Sequence, residues 1–476
     1  MRPSSRQLLI SLIVACAMFM QNLDSTIIAT ALPVIARSLG ESPLQLNVAI
    51  TCYLLSLAVF IPISGWTADR FGARQVFSAA IVVFTLGSVA CGLSNSLAML
   101  VVARIVQGMG GAMMVPVGRL VLLRTVPRTE LVRAMSYVSV PALIGPVMGP
   151  PLGGFIVTYA SWRWIFFINI PIGLLGVVLI NLFIRDVDDG AVRPFDFRGF
   201  ALTGIGLATL AFGFETLGRG ALPMPVSLAL LACGAVCVVL YVRHARRAES
   251  PIIDLALLRI PTYAAATAGG FIFRMGVGAL PFLMPLMLQV GFGLSPLSSG
   301  LLTFAQAAGA MTMKTSVTTI IRTFGFRNVL VGNAIISAGF LLGYSLFRPT
   351  TPHFVIFLAL LSGGFFRSLQ MTSINTLSYA DVPPSMLSRA TSLTSMCQQL
   401  SQSVGVGTGA LILYMLLAAY GTTQLTAGDF SLALLAVGGI GMLSVPFFLR
   451  MSPDAGAEVS GRAPSASMVG KLPGAP

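Results

Sequence analysis

GWTADRFGAR, residues 65–74, joins two long apolar runs by a very short turn, and part of it returns far along the chain: DRFGAR at 69–74 is echoed by RTFGFR at 322–327. ESPLQ at 41–45 and LSPLS at 294–298 stand at the same separation, 253 residues (322 − 69 and 294 − 41). One offset shared by two separate motifs predicts a chain built of two copies of a single unit.

The runs around these motifs are those of a membrane protein. Hydrophobic residues make up 56% of the sequence and charged residues 9%, and the mean hydropathy is +0.89. Apolar windows of the roughly 20 residues needed to cross a bilayer recur along most of the chain. They predict an all-α polytopic protein with spans near 8–34, 45–67, 75–95, 98–122, 135–159, 163–184, 199–218, 223–243, 262–290, 296–320, 328–347, 353–379, 386–417 and 430–449, fourteen in all. The repeat divides them into a six-helix unit (1–184), two inserted helices with their linkers (185–261) and a second six-helix unit (262–450). The small, polar, proline-rich tail 451–476 is expected to be disordered. The start, MRPSSRQLLISLIVACAMF, has the flanks of a signal peptide, but its apolar run is too long for one and reads as a retained first span.

A net charge of +14 and a pI near 10.2 would suggest nucleic acid in a soluble chain. Here the charge follows topology. Loops assigned to one side carry arginines from Arg2 and Arg6 through Arg124, Arg128 and Arg133 to Arg450, Arg462 and Lys471, whereas the other side has only Arg37, Arg163, Arg219 and Arg348. By the positive-inside rule both termini are cytoplasmic. The six cysteines have no metal-like spacing, and two histidines, His244 and His353, lie near helix ends, so neither a metal nor a cofactor is expected.

Charges inside the spans are the candidates for function. Asp24, in MQNLDSTIIATALP (20–33), needs a partner, a proton or water. Arg104, in RIVQGMGGAMMVPVGR (104–119) with Gln107, lies about 8–10 Å below the outer end of its helix, and Asp24 about 10–15 Å below its own, so the two charges can meet. Snorkelling to the interface is the competing reading for Arg104. Asp69, Arg70 and Arg74, with Gly65 and Gly72, form a candidate latch of ion pairs on the 65–74 loop; in the second copy Arg322 stands where Asp69 does. Gly145, Gly149 and Gly153 repeat every fourth residue in GPVMGPPLGG, with Pro146, Pro150 and Gly154 beside them, marking either a packing helix or a gate. Arg274, Lys314 and Arg367 interrupt spans that contain no acid. Arg274 corresponds through the repeat to Gln21, so Gln21, Gln107, Arg274, Arg367 and Asn375 are candidates for a central substrate cavity. Lys314 either faces that cavity or snorkels.

Taken in order, LDSTIIATALP, GWTADRFGAR, RIVQGMGGAMMVPVGR, GPVMGPPLGG and SWRWIFFINIPIG resemble the fourteen-span drug:proton antiporter branch of the major facilitator superfamily, the EmrB/QacA type, and most closely its MdtD/HsrA-like members. That resemblance implies a major facilitator fold and export of small molecules in exchange for protons, across a bacterial-type inner membrane. It makes Asp24 the first-helix carboxylate, Arg104 the fourth-helix base and the glycine–proline stretch the antiporter motif. Thr67, in place of the usual leucine, and Ala73, in place of a usual basic residue, depart from the loop pattern.

A phosphate loop for ATP is absent, as are the HExxH, GxSxG and clustered-acid patterns of membrane enzymes. If Arg104 offsets Asp24, the cavity is net positive. The alternatives to multidrug efflux are therefore export of an anionic metabolite or metal-chelate carboxylate of the citrate type, or an uncoupled facilitator or sensor. Partners are expected to be a small molecule, protons and lipid, and the chain, holding both units, to act as a monomer.

Overall fold

The computed structural model describes residues 5–41, 43–184, 194–219, 222–421 and 425–460. Arg2, Arg185, Arg193, Arg462 and Lys471 of the charge-bias reading, and residues 461–476 of the tail, lie outside them. The described residues form helices and connecting turns, without a strand: α1 (Ser5–Leu39), α2 (Pro43–Phe60), α3 (Ser64–Phe71), α4 (Ala73–Gly92), α5 (Leu97–Thr125), α6 (Leu131–Tyr159), α7 (Trp164–Phe167), α8 (Asn169–Phe183), α9 (Phe197–Arg219), α10 (Met224–Ala245), α11 (Pro261–Gly278), α12 (Leu280–Leu286), α13 (Pro296–Tyr344), α14 (His353–Leu377), α15 (Leu387–Tyr420), α16 (Ala427–Met442), α17 (Val445–Leu449) and α18 (Ala457–Ser460). In hydrocarbon every backbone amide needs an internal partner, which long apolar helices provide. Their ends carry local signals. Ser96 accepts from the Met99 amide, Ser295 from the Ser298 amide, Thr426 and Asp429 cap each other's backbone, and Gly421 closes α15 at φ 62°.

Twelve segments of the described residues are long and apolar enough to cross a membrane, so the chain is an integral membrane protein. The expected spans 296–320 and 328–347 follow one another without a loop as the two arms of α13. It breaks at Gly325, φ 76° and ψ 160°. Gly72, the corresponding residue of the first motif, has φ 85° and ψ 135°. This region of backbone space is essentially closed to residues with a Cβ. The other motif pair behaves alike: Gly40 has φ 72° and Gly293 φ 70°. Both pairs are 253 residues apart (325 − 72 and 293 − 40), so the echo in sequence is an echo in backbone conformation.

Within the N-terminal segment, α1 packs on α6, and α5 on α2 and α4; in the C-terminal segment, α13 packs on α14, and α11 on α15 and α16. The inserted pair does more than face lipid. α9 touches both α2 and α15, while α10 is the more exposed partner. Its linkers are tied down as well: Phe195 packs on Trp66 at 4.7 Å, Tyr241 Oη donates to the Ile253 carbonyl at 2.7 Å, and Asp254 pairs with Arg389. The beginning of the expected disordered tail is also folded. Val459 is buried, Gly456 sits against Phe326, and Glu458 pairs with Arg128 at 3.4 Å.

Candidate functional site

Five helices of the N-terminal segment converge on Asp24 of α1. Arg104 Nη1 donates to Asp24 Oδ2 at 2.6 Å and to Gln107 Oε1 at 2.6 Å; Gln107 Nε2 donates to Asp24 Oδ1 at 2.9 Å. Asn169, the first residue of α8, donates from Nδ2 to the same Oδ1 at 3.1 Å and to Ser88 Oγ at 2.9 Å, and Ser88 in turn donates to the Phe166 carbonyl. The Arg104 guanidinium lies over the rings of Tyr53, 4.7 Å, and Phe166, 5.5 Å. Asp24 is 1% exposed and Arg104, Gln107 and Asn169 are 0% exposed. Arg104 therefore does not snorkel, and the carboxylate is enclosed by three side-chain donors. Every group facing Asp24 donates, so the site is built for the ionised form. A proton on Asp24 would remove the charge that holds Arg104 and strand that cation in the interior.

This cluster is separate from the main cavity, which has a volume of about 360 Å³ and lies between the N- and C-terminal segments. Gln21, Arg367, Asn375 and Lys314 line it. Gln107, expected there, is instead committed to Asp24. Arg274 stands one layer back, 2% exposed, with Nη2 donating to Asn375 Oδ1 at 2.8 Å. Lys314 donates to the Thr372 hydroxyl, and Arg367 Nη1 to Gln306 Oε1 at 3.0 Å.

At the end of the bundle that carries the 65–74 loop, side-chain bonds stitch the two segments together. Asp69, Arg70 and Arg74 were expected to form ion pairs at the helix ends. The bonds of Asp69 run to Arg124 Nη2, 3.3 Å, and to the Ser388 hydroxyl, 2.6 Å, while Arg74 donates to Asn181. The end of α5 and the start of α15 lie beside this turn and bring Arg124 and Ser388 to the acid. Ser64 Oγ and Ser392 Oγ lie 2.8 Å apart, and Arg128 donates to the Ala380 and Val382 carbonyls at 2.8 and 3.2 Å. Gly65 makes the approach possible: a Cβ there would lie 2.7 Å from the Ser388 carbonyl oxygen. Arg70 borders a small recess beside it with Trp66 and Asp69.

On α6 the glycine stripe faces α1. A Cβ on Gly145 would lie 3.0 Å from the Leu23 amide, and one on Gly149 2.2 Å from Thr26 Oγ1. Gly153 is buried and Gly154 half-buried; the side chains of Pro146 and Pro150 lie outside the described residues. The stripe thus backs directly onto the helix turn that carries Asp24.

Three residues that sequence reading left unassigned belong to these sites. Asn169 was visible as an amide in an apolar span, within SWRWIFFINIPIG. Arg119 closes the quoted stretch 104–119 and lines the main cavity. Ser388 gave no signal, because its role comes from Asp69 across the interface.

Sequence and structure comparisons agree with this architecture. The family model described as Major Facilitator Superfamily matches residues 14–406. The chain belongs to the major facilitator superfamily. A curated relative, the putative multidrug resistance protein MdtD of Salmonella dublin, is 44% identical over 412 residues, covering 85% of this chain and 86% of the relative. Its counterpart in Escherichia coli O6:H1 is 44% identical over 405 residues, covering 84% and 85%. Among solved structures, the human organic anion transporter MFSD10 aligns with a TM-score of 0.68 at 15% identity, over 94% of this chain and all of that one. The proton:xylose symporter XylE aligns with a TM-score of 0.65 at 14% identity, over 97% and 99%. At such identities these two speak for the fold alone. As a member of this superfamily the chain is a transporter, not an enzyme.

Proposed function

We propose that this chain is a proton-coupled exporter of small molecules of the multidrug-efflux type, working by alternating access as a monomer in a bacterial inner membrane. The observation that carries the reading is the enclosed Asp24–Arg104 pair with Gln107 and Asn169 on its second oxygen. A carboxylate held by three donors from two neighbouring helices is a two-state element. Ionised, it clamps α1 to α5 and α8; protonated, it releases Arg104 and loosens that clamp against the glycine stripe of α6. The relatives named for multidrug resistance support the substrate side.

Fourteen crossings, two six-helix units and the inserted pair, fit the break at Gly325 that divides α13 into two spans, and the 29-residue α6 as a further span. With arginine-rich loops inside, both termini are cytoplasmic and the Ser64–Ser392 and Asp69–Ser388 contacts close the inward side. The structure then corresponds to a state shut toward the cytoplasm, and transport requires those contacts to open.

The test is transport of a cationic dye, ethidium, and of a polycarboxylate, tricarballylate, by proteoliposomes under an imposed pH gradient. Wild type is expected to move one of the two with the gradient, and Asp24→Asn to lose that driven component while still equilibrating slowly. Undiminished driven transport by Asp24→Asn would reduce Asp24 to a structural partner of Arg104.

A further inference from the structure

The main cavity has a charge that the proton site does not explain. Arg119 of α5 lines it, is 9% exposed, and its Nη1 has no hydrogen-bond partner. Opposite, from the C-terminal segment, come Lys314 of α13 and Arg367 of α14, whose side-chain partners among the described residues are neutral acceptors, Thr372 and Gln306. Behind them Arg274 engages Asn375 through the amide oxygen, which leaves the Asn375 amide nitrogen as a donor. Among the described residues no carboxylate lines the cavity, and Asp24, the nearest candidate, is occupied by Arg104.

We propose that this cavity binds a small organic oxyanion carrying two or more negative charges, bridged between Arg119 on one segment and Lys314 and Arg367 on the other. Guanidinium groups with unmet donors in a water-poor interior hold carboxylate or phosphate oxygens far better than a cation, which would add like charge to three cations already present. The size suits a small molecule, at the low end of the usual range of about 300–1,000 Å³. A bridging anion also ties binding to motion. Empty, the cavity sets like charges on facing segments, which opposes their closure; filled, it lets them close around the ligand. The inference rests on the reading of this cavity as the transport site, but not on proton coupling.

The test is calorimetric titration of the purified full-length protein in detergent with succinate, tricarballylate and glucose 6-phosphate, with benzoate as a monoanion and tetraphenylphosphonium as a cation. Expected is binding of the polyanions in preference to benzoate and tetraphenylphosphonium, with succinate and tricarballylate against glucose 6-phosphate reporting whether carboxylate or phosphate is preferred. Arg119→Gln and Arg367→Gln should each lose roughly tenfold or more in affinity. Arg119→Lys, which keeps the charge and guards against a folding defect, should recover part of it. Asp24→Asn should still bind the polyanion, which separates this site from the proton reading. Binding of tetraphenylphosphonium without the polyanions, or polyanion affinity unchanged in both glutamine variants, overturns the proposal; the first result leaves proton-linked efflux standing.

Discussion

At the scale of single residues, Asp24 and Arg104 have no neutral alternative inside the protein except each other's charge. Breaking such a pair from one side leaves an uncompensated buried ion at a cost of about 3–5 kcal/mol, whereas replacing both partners is close to neutral. Asp24→Asn and Arg104→Gln are therefore each expected to lower the thermal unfolding midpoint in detergent, and the double variant to recover most of the loss without recovering transport. Equal additive losses in the double-mutant cycle would show that the pair does not behave as a unit. The pair was legible in sequence because a carboxylate and a guanidinium in apolar spans stand out and helical rise puts them at similar depth. Asn169 was not, because an amide in an apolar span is ambiguous until the fold brings it to Asp24 Oδ1. Arg119 was passed over because it stands near the end of its expected span, 98–122, whereas Arg367 interrupts the middle of 353–379.

At the scale of elements, the backbone carries the repeat. Gly72 and Gly325 occupy the same glycine-only region at the ends of matching helices, so Gly72→Ala and Gly325→Ala should each cost about 1–3 kcal/mol of stability. Chemical denaturation of the two variants measures this, and a negligible effect at either would mean that the turn relaxes to another conformation. Close helix approach gives a second expectation. Between α13 and α14 a Cβ on Gly309 would lie 1.8 Å from the Leu361 carbonyl oxygen. Gly309→Val is expected to reduce the yield of monodisperse protein severely, whereas Gly339→Val, with open space around it, is expected to leave it unchanged. The helices themselves were plain in the sequence, since apolar runs of spanning length admit little else in a membrane. Where they break was less plain. α11 and α12 divide one expected span, and the two expected spans of α13 meet at the tight turn of Gly325 without a loop between them.

At the scale of the molecule, the end bearing the 65–74 loop is shut by contacts between segments far apart in sequence, which no local reading could pair. The Ser64–Ser392 contact offers a lock. In a background with the six native cysteines replaced, Ser64→Cys with Ser392→Cys should cross-link on oxidation and arrest gradient-driven transport, and reduction should restore it. A cross-linked protein that still transports would place the moving surface elsewhere. The proposed proton site, by contrast, sits wholly within the N-terminal segment, so the proposed coupling has to pass from Asp24 through α1, α5 and α6 to the interface. That chain of contacts has force only if Asp24 takes up and releases a proton. Infrared difference spectra of the purified protein across a pH titration, wild type against Asp24→Asn, measure this most directly. The account predicts a carboxylic acid carbonyl band that rises as pH falls and is missing in the variant; titration spectra identical in the two proteins would contradict it.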